Sequence, residues 1–164
     1  MAYFVYLHVS LTCVTTSKEG IIMNSYQHII IGLDLSDESF TVLQKAKLIA
    51  HSFDAQVTLV HVVEPITFSY GGDVPIDLTE TQNKIIEQAE KRLDSISKEA
   101  ELTDVQKIVS IGQAASELHA LAEQHEADLI VVGSHGRHGL ALLLGSTANG
   151  VLHGAKCDVL AIRV

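Results

Sequence analysis

Gly133, Gly136 and Gly145, the Ser146-Thr147 pair and Asp34 are the residues of this chain whose types and spacing can do chemistry. The run Gly133-Ser134-His135-Gly136-Arg137-His138-Gly139 is followed by Leu140 to Leu144 and then by Gly145-Ser146-Thr147. Glycine at 133, 136 and 145 lets the backbone come close to a ligand and take positive φ. Ser146 and Thr147 stand where a helix should begin, so free backbone N–H groups point outward there and the helix dipole favours an anion. Together these features read as a phosphate cradle built without a lysine. A second candidate is Gly32-Leu33-Asp34-Leu35-Ser36, which puts a carboxylate at the end of an apolar run. Asp34 has two readings, a ligand contact and a cap on the turn that follows, where aspartate is favoured in any case. Arg137 also has two, a phosphate contact and a solvated loop residue.

These residues need elements to hold them, and from Tyr26 onward apolar strand runs alternate with amphipathic helices. His28 to Asp34 is nearly continuous in apolar residues, as expected of a parallel strand covered on both faces. Ser36 or Asp37 can cap the next helix, in which Leu43, Ala46, Ala50 and Phe53 recur at helical spacing. Gln56 to Val63 is a second strand, and the breakers in Ser69 to Pro75 make a loop. Thr79-Glu80-Thr81-Gln82 fits a capping box opening a long helix with Ile85, Ile86, Ala89, Leu93 and Ile96 on one stripe. A strand over Val105–Ile111, a helix over Ala114–His125, a strand over Ala127–Val132, a short helix over Ser146–His153 and a strand over Asp158–Val164 complete the series. Such alternation predicts a single α/β domain with a doubly wound parallel sheet. In open sheets of this kind ligands bind beyond the carboxyl ends of the strands, where both candidate segments lie.

Composition narrows the functions. The chain has 164 residues, 47% of them hydrophobic and 19% charged, which suits one folded domain. Its formal net charge is −9 and its 11 Lys and Arg never cluster, so no basic surface for nucleic acid can be drawn. The two cysteines, Cys13 and Cys157, form no CxxC and no zinc-type spacing, which fits a reducing cytoplasm. His135 and His138 have no third ligand near them in sequence, so no metal site is expected. His61, inside an apolar strand, reads as a satisfied core histidine. No apolar run approaches the roughly 20 residues that a membrane span needs.

The first 22 residues fit this pattern poorly. Ala2 to Val14 is apolar and aromatic with no Lys or Arg before it, and Thr15 to Gly20 is polar. Three readings stand: an upstream extension with Met23 as the functional start, an added strand or docking arm, and a secretory signal. The first is carried forward, giving residues 1–22 as an extension and 23–164 as the domain.

Several of the quoted segments resemble one family. Gly133-x2-Gly136, a spacer and Gly145-Ser146 are similar to the nucleotide-binding signature of the universal stress proteins. So are Ile29 to Ser39, Leu59-Val60-His61-Val62 and Cys157 to Ile162, and the resemblance runs in order over Tyr26 to Val164. It implies an adenine-nucleotide alpha-hydrolase-like fold, a five-stranded sheet of order 3-2-1-4-5, and a homodimer through the C-terminal strand. In the family's ATP-binding branch, Asp34 would contact the ribose or phosphate region and Val62 would lie against adenine. Gly133, Gly136, Gly145 and Ser146 would hold ribose and phosphates, with Mg²⁺ as a possible companion ion. The neighbouring Gly32, Leu33, Val132, Ser134, His135, Arg137 and Thr147 complete the candidate ATP site. The spacer Arg137–Leu144 is one residue shorter than the family's usual one, and the first strand looks closer to a branch without the glycines that does not bind ATP.

The expectation is an ATP-binding, dimeric regulatory protein of the stress response, with protein partners the sequence does not name. A nucleotide-free dimeric interaction module and a slow ATPase are the alternatives. An adenylating enzyme would carry an SGGxDS-type loop where Leu33 to Ser39 stands, and no Walker lysine or nucleophile elbow is present.

Overall fold

Three consecutive isoleucines explain the centre of the molecule. In the computed structural model, which describes residues 6–8, 16–17, 20–21, 26–66, 79–134 and 145–164, Ile29, Ile30 and Ile31 are completely buried. Successive side chains on a strand point to opposite faces, so a strand that is apolar at every position must be covered on both. Ile29 and Ile31 enter one core cluster and Ile30 the other.

The strands are β1 (Tyr6–His8), β2 (Thr16–Ser17), β3 (Gly20–Ile21), β4 (His28–Gly32), β5 (Gln56–Val63), β6 (Gln106–Ile111), β7 (Leu129–Gly133) and β8 (Asp158–Ile162). The helices are α1 (Ser39–Phe53), α2 (Thr79–Glu99), α3 (Ala114–Gln124) and α4 (Ser146–Gly154). One sheet has the order β1-β8-β7-β4-β5-β6, and β2 pairs with β3 separately. Every pairing from β8 through β6 is parallel, so the five strands after residue 26 have the expected order 3-2-1-4-5. The sixth strand, β1, joins antiparallel to the outer edge of β8.

One cluster gathers Val42, Leu43 and Ala46 of α1 with Leu93 and Ile96 of α2; the other gathers Ala115 and Leu118 of α3 with Ala148 and Val151 of α4. Two helices therefore cover each face of the sheet. Ile162, on the last strand, is 3% exposed and its side chain belongs to the first cluster.

Two local details differ from the sequence expectations. Helix α1 starts at Ser39 with Glu38 at the capping position and no side-chain cap, so neither Ser36 nor Asp37 caps it. In α2 the apolar stripe is buried only from Ala89 onward; Ile85 is exposed. Gln82 turns to the end of β5, where its Oε1 accepts the Ile66 N–H at 3.2 Å. The loop assigned to Ser69–Pro75 lies outside the described residues.

At the amino ends of the strands, Tyr26 packs edge-on against Phe53 and donates its hydroxyl to Asp158 Oδ2 at 3.1 Å. Burial, helped by Asp158, pushes the Tyr26 phenol from its ordinary 10.0 up to about 12. Burial, helped by Asp158 and Asp128, pushes the Cys157 thiol from 9.0 up to about 11. Both groups favour the protonated form when folded, so their stabilisation is intact below pH 9 and is lost as pH rises through 9 to 12. Denaturant unfolding followed against pH should show that fall, and Tyr26→Phe should flatten its upper part. A variant with an unchanged profile would remove Tyr26 as a source.

Candidate functional site

The order of the sheet creates a crevice between β4 and β7. These strands are parallel neighbours, with Gly32 opposite Val132, yet the helices that come next in the described chain, α1 and α4, lie on opposite faces. After β4 the chain enters α1 on one face; α4, which follows β7 in the helix series, packs in the other cluster. Such a switch point is where open α/β sheets bind ligands.

The wall after β4 is a tight turn organised by Asp34. Its Oδ1 accepts the Ser36 N–H at 3.0 Å, the Ser36 hydroxyl at 2.6 Å and the Ser39 hydroxyl at 2.8 Å. Leu35 between them takes φ 58°, a left-handed conformation costly for a branched side chain. The turn is tied to β5 twice: the Leu33 N–H donates to the Val60 carbonyl at 2.9 Å, and His61 Nδ1 donates to the Leu33 carbonyl at 2.8 Å. A carbonyl only accepts, so Nδ1 carries the proton, and His61 is the satisfied histidine that the sequence predicted. The capping reading of Asp34 is thus realised in its hydrogen bonds. Ser39, which sequence reasoning passed over, is 2% exposed and part of this device. The spacing Asp34, Ser36, Ser39 was the available signal, because an aspartate readily bonds its own backbone two residues on.

The wall after β7 is closed by backbone. The Ser134 N–H donates to the Ile162 carbonyl at 2.7 Å, and the Ser134 carbonyl accepts the Gly145 N–H at 2.7 Å. The ends of segment 135–144 therefore meet at one point over β7. His135, Gly136 and Arg137, three of the predicted site residues, lie in that segment, outside the described residues. Gly145 is the N-cap of α4 at φ −58°, ψ 156°, so the freedom for positive φ that glycine offers is not used there. No side chain caps this helix, and its first bond is Asn149 N–H to the Gly145 carbonyl, so the N–H groups of Ser146, Thr147 and Ala148 precede the helical ladder. Ser146 and Thr147 are exposed at that end. Sequence reasoning located this helix start; the Ser134–Gly145 closure carries no residue-type signal, since it joins two main-chain atoms.

The other predicted residues divide by environment. Leu33 and Val132 have side chains in the core, and Ser134 is buried. A Cβ on Gly32 would stand 2.9 Å from Leu118 Cδ1 and 3.2 Å from Val132 Cγ1, so this glycine lets α3 pack closely on β4. Val62 is half-buried against the α3–α4 cluster, and Gly133 is partly exposed at the end of β7. Among the described residues no group of three or more His, Cys, Asp or Glu could hold a metal ion. No described helix is long and apolar enough to cross a membrane.

Residues 25–163 match the universal stress protein family. The universal stress protein A homolog 2 of Coxiella burnetii is 42% identical over 144 residues, which span 87% of this chain and 98% of that protein. A solved universal stress protein in complex with cAMP is 28% identical, with TM-score 0.59, over 85% of this chain and 98% of its own. Hypothetical protein MJ0577 is 25% identical, with TM-score 0.70, over 86% of this chain and 98% of its own.

Proposed function

This chain belongs to the universal stress protein family, and from that premise we propose that it is an ATP-binding, dimeric regulatory protein of the cellular stress response. The observation that carries the reading is the bond from the Gly145 N–H to the Ser134 carbonyl. It seats the uncapped start of α4 over the end of β7, beside the turn built on Asp34. An anion in that crevice meets helix N–H groups and the positive end of the helix dipole. A net charge of −9 disfavours anions at long range, so recognition rests on these local donors. On this reading the phosphates lie against Gly133, Gly136, Gly145, Ser146 and Thr147, with Arg137 adding one charge. The ribose lies toward Asp34 and the base toward Val62. Mg²⁺ would accompany the phosphates, and cytoplasm is the compartment carried over from the cysteine usage.

A relative solved with cAMP supports a nucleotide as the ligand class. Calorimetric titration with ATP and Mg²⁺, and with ADP, AMP and cAMP in parallel, tests the assignment. Saturable heat with ATP is expected. No heat and no thermal shift at millimolar ATP would leave the nucleotide-free dimeric module, which the shortened Arg137–Leu144 spacer favours. Slow hydrolysis would appear in the same samples as accumulating ADP.

A further inference from the structure

The two edges of the sheet are protected by different means. The β6 edge carries Gln106, Lys107 and Ser110, and Lys107 is paired with Asp94 at 2.7 Å. Polar and charged residues of this kind discourage pairing with another chain. The β8 edge is guarded only at its start: Asp158 is tied to Tyr26, and Val159-Leu160-Ala161-Ile162 beyond it is apolar and buried on both faces of the sheet. What covers it is β1, with Tyr6 opposite Ala161, Leu7 opposite Leu160 and His8 opposite Val159.

We propose that the strand Tyr6–His8 is an intramolecular strap on the association edge of the sheet, which holds the full chain monomeric until it is displaced. The inference rests on the dimeric reading above and supplies its regulation. Direction is the first argument. A two-fold axis perpendicular to a sheet reverses strand direction, so the β8 of a second copy arrives antiparallel. β1 is antiparallel to β8 in a sheet whose other pairs are all parallel, so strap and second copy need the same row of N–H and C=O groups. One excludes the other. Length is the second argument. The strap pairs three of the five β8 residues, whereas a second β8 can pair all five, so the strap is the shorter and more easily displaced partner. Tethering compensates for that, because a linked strand acts at an effective concentration on the order of millimolar, above usual protein concentrations. The strap also precedes the residues that match the family, 25–163. Among the described residues both core clusters are built from Tyr26 onward, and the shortened chain Met23–Val164 retains all of those residues.

Light scattering and analytical sedimentation of three proteins test the strap: the full chain, Met23–Val164, and the full chain with Tyr6→Pro and Leu7→Pro. Neighbouring N–H groups on a strand point to opposite sides, so the double proline change removes a ladder donor whichever residue supplies it. The full chain is expected to be monomeric at micromolar concentration, and both altered proteins dimeric. A dimer of the full chain equal to that of Met23–Val164 would overturn the strap and leave the dimeric reading standing. A monomeric Met23–Val164 would overturn the dimeric reading, and the strap's role with it. A proline variant that stays monomeric beside a dimeric Met23–Val164 would show that β1 pairing is not what blocks association.

Discussion

Gly145→Val is expected to fold normally and to lose detectable ATP binding. The backbone at Gly145 has φ −58° and ψ 156°, which every residue adopts without strain. Valine keeps the N–H that donates to the Ser134 carbonyl, so the closure over β7 survives. As an N-cap it is poorer than glycine, which costs the helix about 1 kcal/mol. The substitution therefore adds bulk at the start of α4 and leaves the described backbone bonds in place. If phosphates lie against that helix end, the branched side chain stands in their place. Gly136→Val should act in the same sense, by blocking close approach of the loop backbone. Arg137→Ala removes at most one charge-assisted contact, on the order of 1.5–3 kcal/mol and less if the side chain is exposed, so it should weaken binding without abolishing it. Calorimetry on the three variants, with thermal unfolding as the folding control, gives the ranking. A folded Gly145→Val that binds ATP as wild type does would show that the start of α4 is not the phosphate site.

The parallel sheet was legible because its signals are periodic and local. The run Ile29-Ile30-Ile31 required cover on both faces, and the long crossovers required parallel pairing, as found. The Ser146 helix start was legible from a glycine followed by Ser-Thr, and it is where α4 begins. Side-chain duties within the site were less legible. Leu33 and Val132 flank the crevice in sequence, yet their side chains belong to the core, because alternate positions at a strand end still face the helices. Gly32 looked like a place for a ligand to approach and is a place for Leu118 to pack, a contact between residues far apart in the chain. An added strand was one of three readings of the first 22 residues, but its partner was hidden. An antiparallel strand from one terminus onto a strand near the other leaves no short-range signal of where it pairs.

Asp34→Ala and Asp34→Asn are expected to separate the two duties of this carboxylate. Its Oδ1 accepts three hydrogen bonds, from the Ser36 N–H, the Ser36 hydroxyl and the Ser39 hydroxyl. Alanine removes the acceptor and deprives the buried Ser39 hydroxyl of it. Bonds to a charged acceptor contribute about 1.5–3 kcal/mol each and are not additive, so a loss of about 2–4 kcal/mol in unfolding free energy is expected. The left-handed Leu35 would also lose the interactions that hold its turn, and the wall after β4 would loosen. Asparagine behaves differently. Its amide oxygen can accept the same three donors, so the turn should persist at a cost of about 1 kcal/mol, the difference between a charged and a neutral acceptor. What asparagine cannot restore is the charge offered to a ligand's ribose hydroxyls or to a phosphate-bound cation. Asp34→Asn should therefore unfold near the wild-type denaturant midpoint and bind ATP roughly tenfold more weakly, a difference of about 1.4 kcal/mol. Urea unfolding and calorimetry on the two variants measure both quantities. If Asp34→Asn is stable and binds ATP with wild-type affinity, Asp34 serves the turn alone, and the ribose contact must come from another group at the crevice.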